Sequence, residues 1–231
     1  TATDSFTYTI SDGTATDTAT LIITVTGVND VPTASDKTIT TNEDTAHVFS
    51  ASDFGYTDAD DDDALVSVKI TGLEDAGALE YYNGSAWVDV TENQVITATD
   101  IGNNKLRFNP AANENGSSYT TFDFTVNDGD ADSASANTIT VNVTAVNDAP
   151  VATDDASSVT EDSNVRVRAN GDDLLNDDSD TENDSLSVTL IKPLNGSNTS
   201  ISSGSSTTIT GTYGELTVNS NGAYNYKANQ D

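Results

Sequence analysis

The chain has 231 residues, 38 of them acidic and 8 basic, so its formal net charge is −30. That sign excludes a nucleic-acid or anionic-membrane surface, because phosphate binding needs the opposite charge, and the absence of cysteine excludes disulfide staples and thiolate chemistry. With 35% hydrophobic residues, no run of about 18 apolar residues and no basic-then-apolar leader, the composition predicts a soluble segment of short β-strands joined by polar turns.

In chain order, Phe6, Tyr8 and Ile10 and then Leu21, Ile23 and Val25 stand at every second position. Such spacing puts one face in a core and the other in water, as in a strand of a two-layer sheet. The linker Val28-Asn29-Asp30-Val31-Pro32 follows, then the pair Glu43-Asp44. An acidic run, Asp58-Ala59-Asp60-Asp61-Asp62-Asp63, leads into the alternating Val66, Val68 and Ile70. Tyr81 to Trp87 enclose Asn83-Gly84, a hairpin turn in which both residues tolerate positive φ. Phe122, Phe124 and Val126 precede Asp128-Gly129, and Ile139, Val141 and Val143 precede Val146-Asn147-Asp148-Ala149-Pro150.

This last linker copies the first. Pro32 and Pro150 lie 118 residues apart, as do Glu43-Asp44 and Glu161-Asp162. Phe6, Tyr8, Ile10, Asp12 and Gly13 return as Phe122, Phe124, Val126, Asp128 and Gly129, while Leu21, Ile23 and Val25 return as Ile139, Val141 and Val143. Val66, Val68 and Ile70 return as Leu186, Val188 and Leu190, behind a second acidic run, Asp177 to Asp184. So long a period means a repeated domain rather than a solenoid turn.

Two unit charges about 10 Å apart in water repel by roughly 0.4 kcal/mol before screening, so clustered acids concentrate repulsion. Alternate acidic residues in an irregular loop also turn several oxygens toward one point, as a hard cation with 6–8 oxygen ligands requires. Neither acidic run has the glycine and terminal glutamate of a helix-flanked calcium loop.

The Asn-Asp-Ala-Pro linker, the glutamate that follows it, the Asp-x-Asp loop and Asp128-Gly129 together resemble the calcium-binding pattern of cadherin repeats. In a bacterial setting they resemble the cadherin-like and VCBS-type repeats of type I-secreted, RTX-like surface adhesins. Tyr81 to Trp87 and Leu106 to Gly116 look cadherin-like, whereas Gly211 to Val218 and Asn221 to Tyr226 are similar to VCBS repeats. The resemblance implies an all-β tandem of Ig-like antiparallel β-sandwiches, with 1–30 the C-terminal strands of one domain, 31–148 a complete cadherin-like domain and 149–231 a VCBS-like domain lacking its last strands.

It also implies Ca2+ at each junction. The first site would draw on Asn29, Asp30, Asp58, Asp60 and Asp128. The second would take Glu43 and Glu114 from above, Asn147 and Asp148 from the linker, and Asp178, Asp180 and Asn183 from below. Gly27 and Ala145 replace the leading acid of a cadherin linker, which implies fewer ions per junction than a cadherin holds.

The expected role is an extracellular, cell-surface spacer stiffened by calcium, with neighbouring repeats or identical chains as partners. Two alternatives stand beside it. Because 1–30 and 149–231 are complementary parts of one domain, strand exchange between chains would make a filament subunit. Exposed Tyr81, Tyr82 and Trp87 would make a glycan-binding adhesin module, although a core hairpin with a buried Trp is the plainer expectation. No enzyme is expected: His47, the single histidine, reads as an ordinary surface or edge residue, and carboxylate pairs can be chosen anywhere in so acidic a chain.

Overall fold

The computed structural model describes residues 1–60, 64–160, 166–168 and 173–229. They divide into two compact units, Thr1–Ala145 and Val146–Asp231. No helix among the described residues is long and apolar enough to cross a membrane.

The first unit opens with β1 (Ala2–Ser11) and β2 (Thr16–Val25), an antiparallel ladder that sets Phe6 opposite Leu21 and Tyr8 opposite Ala19. Asp12 closes the turn: its Oδ1 accepts the N–H groups of Thr14 and Ala15, both at 2.7 Å. Gly13 then takes φ of 92°, where a side chain would be strained. Both strands are exposed throughout.

A sandwich follows. One layer runs in the order β3 (Lys37–Asn42), β11 (Asn137–Thr144), β10 (Gly116–Asn127), β5 (Ser67–Gly72) and β8 (Val95–Thr97). The other runs β4 (His47–Val48), β9 (Leu106–Asn109), β6 (Ala78–Tyr82) and β7 (Trp87–Asp89). Alternation decides which side chains meet between the layers: Val68 and Ile70, Phe122, Phe124 and Val126, and Ile139, Val141 and Val143 face Leu79, Leu106 and Phe108 in one core. Its aromatic rings meet edge to face, Phe49 on Phe122 at 5.6 Å and Phe54 on Phe124 at 5.0 Å.

The expected all-β, Ig-like architecture is present, with two departures. β3 runs parallel to β11, from Lys37 beside Ile139 to Asn42 beside Thr144, while the other ladders are antiparallel. A parallel pair needs a long crossover, and here most of the domain serves as one. The second departure is a short helix, α1 (Ala98–Gly102), where none was expected. Thr97 caps it by accepting the Asp100 N–H at 3.1 Å, and Ile101 is fully buried.

The second unit pairs β12 (Arg166–Arg168), β17 (Tyr224–Ala228), β16 (Gly214–Asn219) and β15 (Ser206–Thr210) in that order, with β13 (Leu190–Ile191) on β14 (Thr199–Ser200) as a separate ribbon. Asn221-Gly222 turns β16 into β17, with Gly222 at φ of 87° and the Ala223 N–H on Asn221 Oδ1. The alternating Leu186, Val188 and Leu190 enters a ladder only at Leu190 among the described residues, although the Val188 N–H donates to Ser220 O at 2.9 Å. Glu161-Asp162 lies outside the described residues, as do Asp61, Asp62 and Asp63.

Candidate metal centre

Strand direction places acids at two opposite ends of the sandwich. β11 and β3 run side by side toward Thr144 and Asn42, so Glu43 sits at that end. β10 runs the other way and delivers Asp128 to the opposite end.

At the Asp128 end the linker is gripped by carboxylates. Asn29 Nδ2 donates to Asp30 O at 2.7 Å and to Asp128 Oδ2 at 3.2 Å. The Asp30 N–H donates to Asp60 Oδ2 at 2.8 Å, and the Asp60 N–H donates to Asp58 Oδ1 at 2.8 Å. A bridge between Thr33 and Thr57, with N–H···O distances of 2.8 and 2.9 Å, anchors the strands behind this clasp. All five residues assigned to the first site therefore lie in one connected network.

Two features prepare that end for positive charge. The N–H groups of Ala131 and Asp130, both 2.7 Å from Asp128 Oδ1, and the Asn29 amide hold the Asp128 carboxyl below the usual carboxylate range. Asp58 Oδ2 is enclosed and has no hydrogen-bond partner among the described residues. An enclosed carboxylate oxygen without a donor costs about 1–3 kcal/mol or more, and a cation removes that cost. The donor set is entirely oxygen with amide support, as a hard cation prefers. Among the described residues, no three acidic or histidine side chains converge closely enough to hold a metal as they stand.

The second linker repeats the clasp inside the second unit. Asn147 Nδ2 donates to Asp148 O at 2.6 Å, the Asp148 N–H to Glu182 Oε2 at 3.1 Å, and the Glu182 N–H to Asp180 Oδ1 at 3.1 Å. Val151 bridges Ser179 as Thr33 bridges Thr57. Asp180 thus occupies the position of Asp58, and Glu182 that of Asp60. Glu182 was missed by sequence reasoning, which named Asp178, Asp180 and Asn183 in this loop. Asp178 instead accepts the Thr153 N–H at 2.8 Å. The usable signal was Asp180-Thr181-Glu182, acids at alternate positions like Asp58-Ala59-Asp60. Asn183 turns the loop at φ of 60°, and its N–H reaches Asp180 O at 3.2 Å. Crowding nearby is electrostatically visible: burial, then the charges of Asp177, Asp178, Asp173 and Asp154, push the Asp155 carboxyl up.

At the other end of the first sandwich, Glu43 is 2% exposed and its Oε2 accepts from Asn115 Nδ2 at 3.1 Å. Glu114 Oε2 accepts the Tyr119 hydroxyl at 2.6 Å, and Asp44 Oδ1 accepts the Asn113 N–H at 3.2 Å.

The other candidates sort themselves by contact. The Trp87 indole is partly buried, with the Arg107 guanidinium 4.0 Å from its ring centroid and Tyr82 at 5.5 Å. Arg107 also donates to Glu80 Oε2 at 2.7 Å. Tyr81 packs on the core and donates its hydroxyl to Asp100 Oδ2 at 2.8 Å. His47 lies in β4 with its ring edge-on to Phe49 and Nε2 3.9 Å from Asp53 Oδ2, and burial draws its pKa down.

Comparison with known proteins matches two family models in succession. Residues 29–144 match the model described as bacterial Ig domain, and residues 147–231 match the bacterial cadherin-like domain. No curated protein matches. Among solved structures, an endo-fucoidan hydrolase of glycoside hydrolase family 107 is similar at 15% identity and a TM-score of 0.31, covering 99% of this chain and 30% of its own. The chain spans less than a third of that enzyme, and a likeness so weak carries no argument. The chain belongs to the bacterial Ig domain family, whose model spans half of it, and continues into a bacterial cadherin-like domain.

Proposed function

We propose that this chain is a calcium-stiffened extender segment of a bacterial cell-surface adhesin, working outside the cell, with residues 149–231 of the VCBS type. The observation that carries this reading is the clasp found at both linkers: an Asn-Asp pair whose Asp N–H is accepted by an acid of the following loop, which is itself held by a second acid two positions earlier. Asn29, Asp30, Asp58, Asp60 and Asp128 would hold an ion at the first linker. Asn147, Asp148, Asp180 and Glu182 would do so at the second, with Asp178 and Asn183 shaping the loop. Calcium supplies a positive centre that accepts 6–8 oxygens at once. The chain's own residues do the rest: backbone donors keep Asp128 ionised, and the Asn side chains set the linker's conformation.

Domains joined by a few residues pivot by default, so the mechanical gain lies at the linkers. Each site filled to about 100 times its dissociation constant adds roughly 2.7 kcal/mol to the ligated state. Extracellular modules bind calcium at about 10⁻⁴ to 10⁻³ M, which makes the segment stiff outside a cell and loose at cytosolic calcium. Small-angle scattering tests this: calcium in the millimolar range should lengthen the maximum dimension and sharpen the profile relative to excess EGTA. Superimposable profiles would remove the proposal.

A further inference from the structure

We propose that Asn83 is a self-modifying site, which loses its side-chain amide to attack by the Gly84 nitrogen and ages to aspartate and isoaspartate. The chain contains five Asn-Gly pairs, of which Asn170-Gly171 lies outside the described residues. Three of the other four, at Asn83, Asn115 and Asn195, are followed by serine and so share one tripeptide. A difference in reactivity among those three is therefore set by the fold.

The reaction has three requirements. The nitrogen of the following residue must be free to lose its proton and reach the asparagine Cγ, the carbonyl oxygen must be stabilised as it takes negative charge, and the amine must be free to leave. Glycine favours the first step, because no side chain shields its nitrogen.

Asn83 meets all three. Residues 83–86 form the exposed turn between β6 and β7, just beyond the pair Tyr82 and Trp87. Asn83 Oδ1 accepts the Ser85 N–H at 3.0 Å, the Ser85 hydroxyl at 2.8 Å and the Ala86 N–H at 3.1 Å. An oxygen bonded to the amides two and three residues ahead keeps Cγ folded over the intervening Gly84 peptide, and the same three donors stabilise the developing oxyanion. Gly84 is exposed at φ of 98°, and its N–H has no hydrogen-bond partner among the described residues. The leaving Nδ2 of Asn83 is unbound as well.

The other pairs each fail a requirement. Asn115 donates its Nδ2 to Oε2 of the buried Glu43 at 3.1 Å, which retains the leaving group, and Gly116 is paired with Val143 in the β10–β11 ladder. The Gly196 N–H donates to Pro193 O at 3.0 Å and the Gly222 N–H to Asn219 O at 3.0 Å, so both nucleophiles are engaged. Gly222 is also buried.

In the reaction, hydroxide takes the Gly84 N–H proton and the nitrogen bonds to Asn83 Cγ. The bond from Cγ to Nδ2 breaks, Nδ2 takes a proton from water and leaves as ammonia, and a succinimide closes. Water opens it at the side-chain carbonyl to give aspartate, or at the main-chain carbonyl to give isoaspartate. Aspartate keeps the turn, because its carboxylate accepts the same three donors. Isoaspartate adds a methylene to the main chain of the turn and disturbs the pairing of Tyr82 with Trp87. Both products add a negative charge at this tip.

Peptide mapping by mass spectrometry of the chain held in warm, mildly alkaline buffer tests the proposal. The peptide bearing Asn83 should convert from amide to acid at least about fivefold faster than those bearing Asn115, Asn195 or Asn221, and should contain isoaspartate. In urea, the three Asn-Gly-Ser sites should converge to within about twofold, because the fold no longer separates them. Ser85→Ala removes one donor to Oδ1 and should slow Asn83 by about two- to tenfold while leaving Asn195 unchanged. Three results overturn the proposal: Asn83 converting no faster than the other three in the folded chain, an undiminished lead for Asn83 in urea, or an unchanged rate in Ser85→Ala.

Discussion

Replacing Asp58 with asparagine should change the sign of its effect with the medium. In the metal-free chain, Asp58 Oδ1 accepts the Asp60 N–H at 2.8 Å while Oδ2 is enclosed without a donor. Asparagine keeps the first contact and removes a buried charge. An unmade hydrogen bond to such a group costs about 1–3 kcal/mol, more when charged, and the new NH2 takes back part of the gain. The net expectation in EGTA is about 0–1 kcal/mol of stabilisation. In calcium the same substitution removes a ligand and with it most of the roughly 2.7 kcal/mol that a site at 100 times its dissociation constant supplies. For a domain of this size, 1 kcal/mol moves the melting temperature by about 4 °C. Differential scanning calorimetry should therefore show the parent gaining about 10 °C on calcium addition and Asp58→Asn gaining less than about 3 °C, with the variant melting no lower than the parent in EGTA. Equal calcium responses, or a loss of the same size in both media, would refute the reasoning.

Other expectations follow from the packing and the titrating groups. Gly77 has φ of 71°, and a Cβ there would lie 2.5 Å from Phe108 Cζ and 2.9 Å from Asn109 O; Gly77→Ala should cost about 2–4 kcal/mol in urea unfolding, through overpacking and a strained backbone. Phe124→Ala should cost about 3–5 kcal/mol, whereas Phe6→Ala, at the equivalent but exposed position, should change the melting of the single chain by less than about 0.5 kcal/mol. Burial keeps His47 neutral in the folded chain below the pH at which the unfolded chain protonates it. As pH falls below about 6.5, the unfolded state binds the extra proton and stability drops; His47→Gln should flatten that slope in unfolding measured between pH 6.5 and 5. The depressed carboxyls of Asp53, Asp100, Asp128 and Asp132 are stabilising above the unfolded carboxylate range, and their contribution should be lost only at lower pH, as it falls through their folded values.

The sandwich was legible because its strands obey a period of two. Phe122, Phe124 and Val126 and Ile139, Val141 and Val143 announce buried faces, and the same alternation marks Phe6 to Val25 as a ladder of the same register. The parallel pairing of β3 with β11 was not legible, since alternation places side chains on faces and says nothing of strand direction. Leu186 and Val188 carry the strand pattern but enter no ladder among the described residues, where Val188 makes a single backbone bond to Ser220. The linkers were found through the repeated Asn-Asp-x-Pro, but Glu182, the partner of Asp148, was not named, because the spacing from acids to strand differs between the copies: eight positions from Asp58 to Val66 and six from Asp180 to Leu186. Repeats keep phase in strands and lose it in loops, and ligands sit in loops. α1 escaped because five residues are too few for a helical period to show, leaving the Thr97 cap as its one local sign.

The proposed metal-bridged hinges at the Asn-Asp linkers are open to direct observation. The most direct test is an anomalous difference map from crystals of the chain grown in calcium and soaked in terbium. The account predicts a peak within about 2.3–2.6 Å of carboxylate oxygens of both Asp58 and Asp60, in contact with the Asn29-Asp30 linker, and a second peak at Asp180 and Glu182. No peak at either linker under saturating metal, with Asp58 Oδ2 still enclosed and unpartnered, would contradict it.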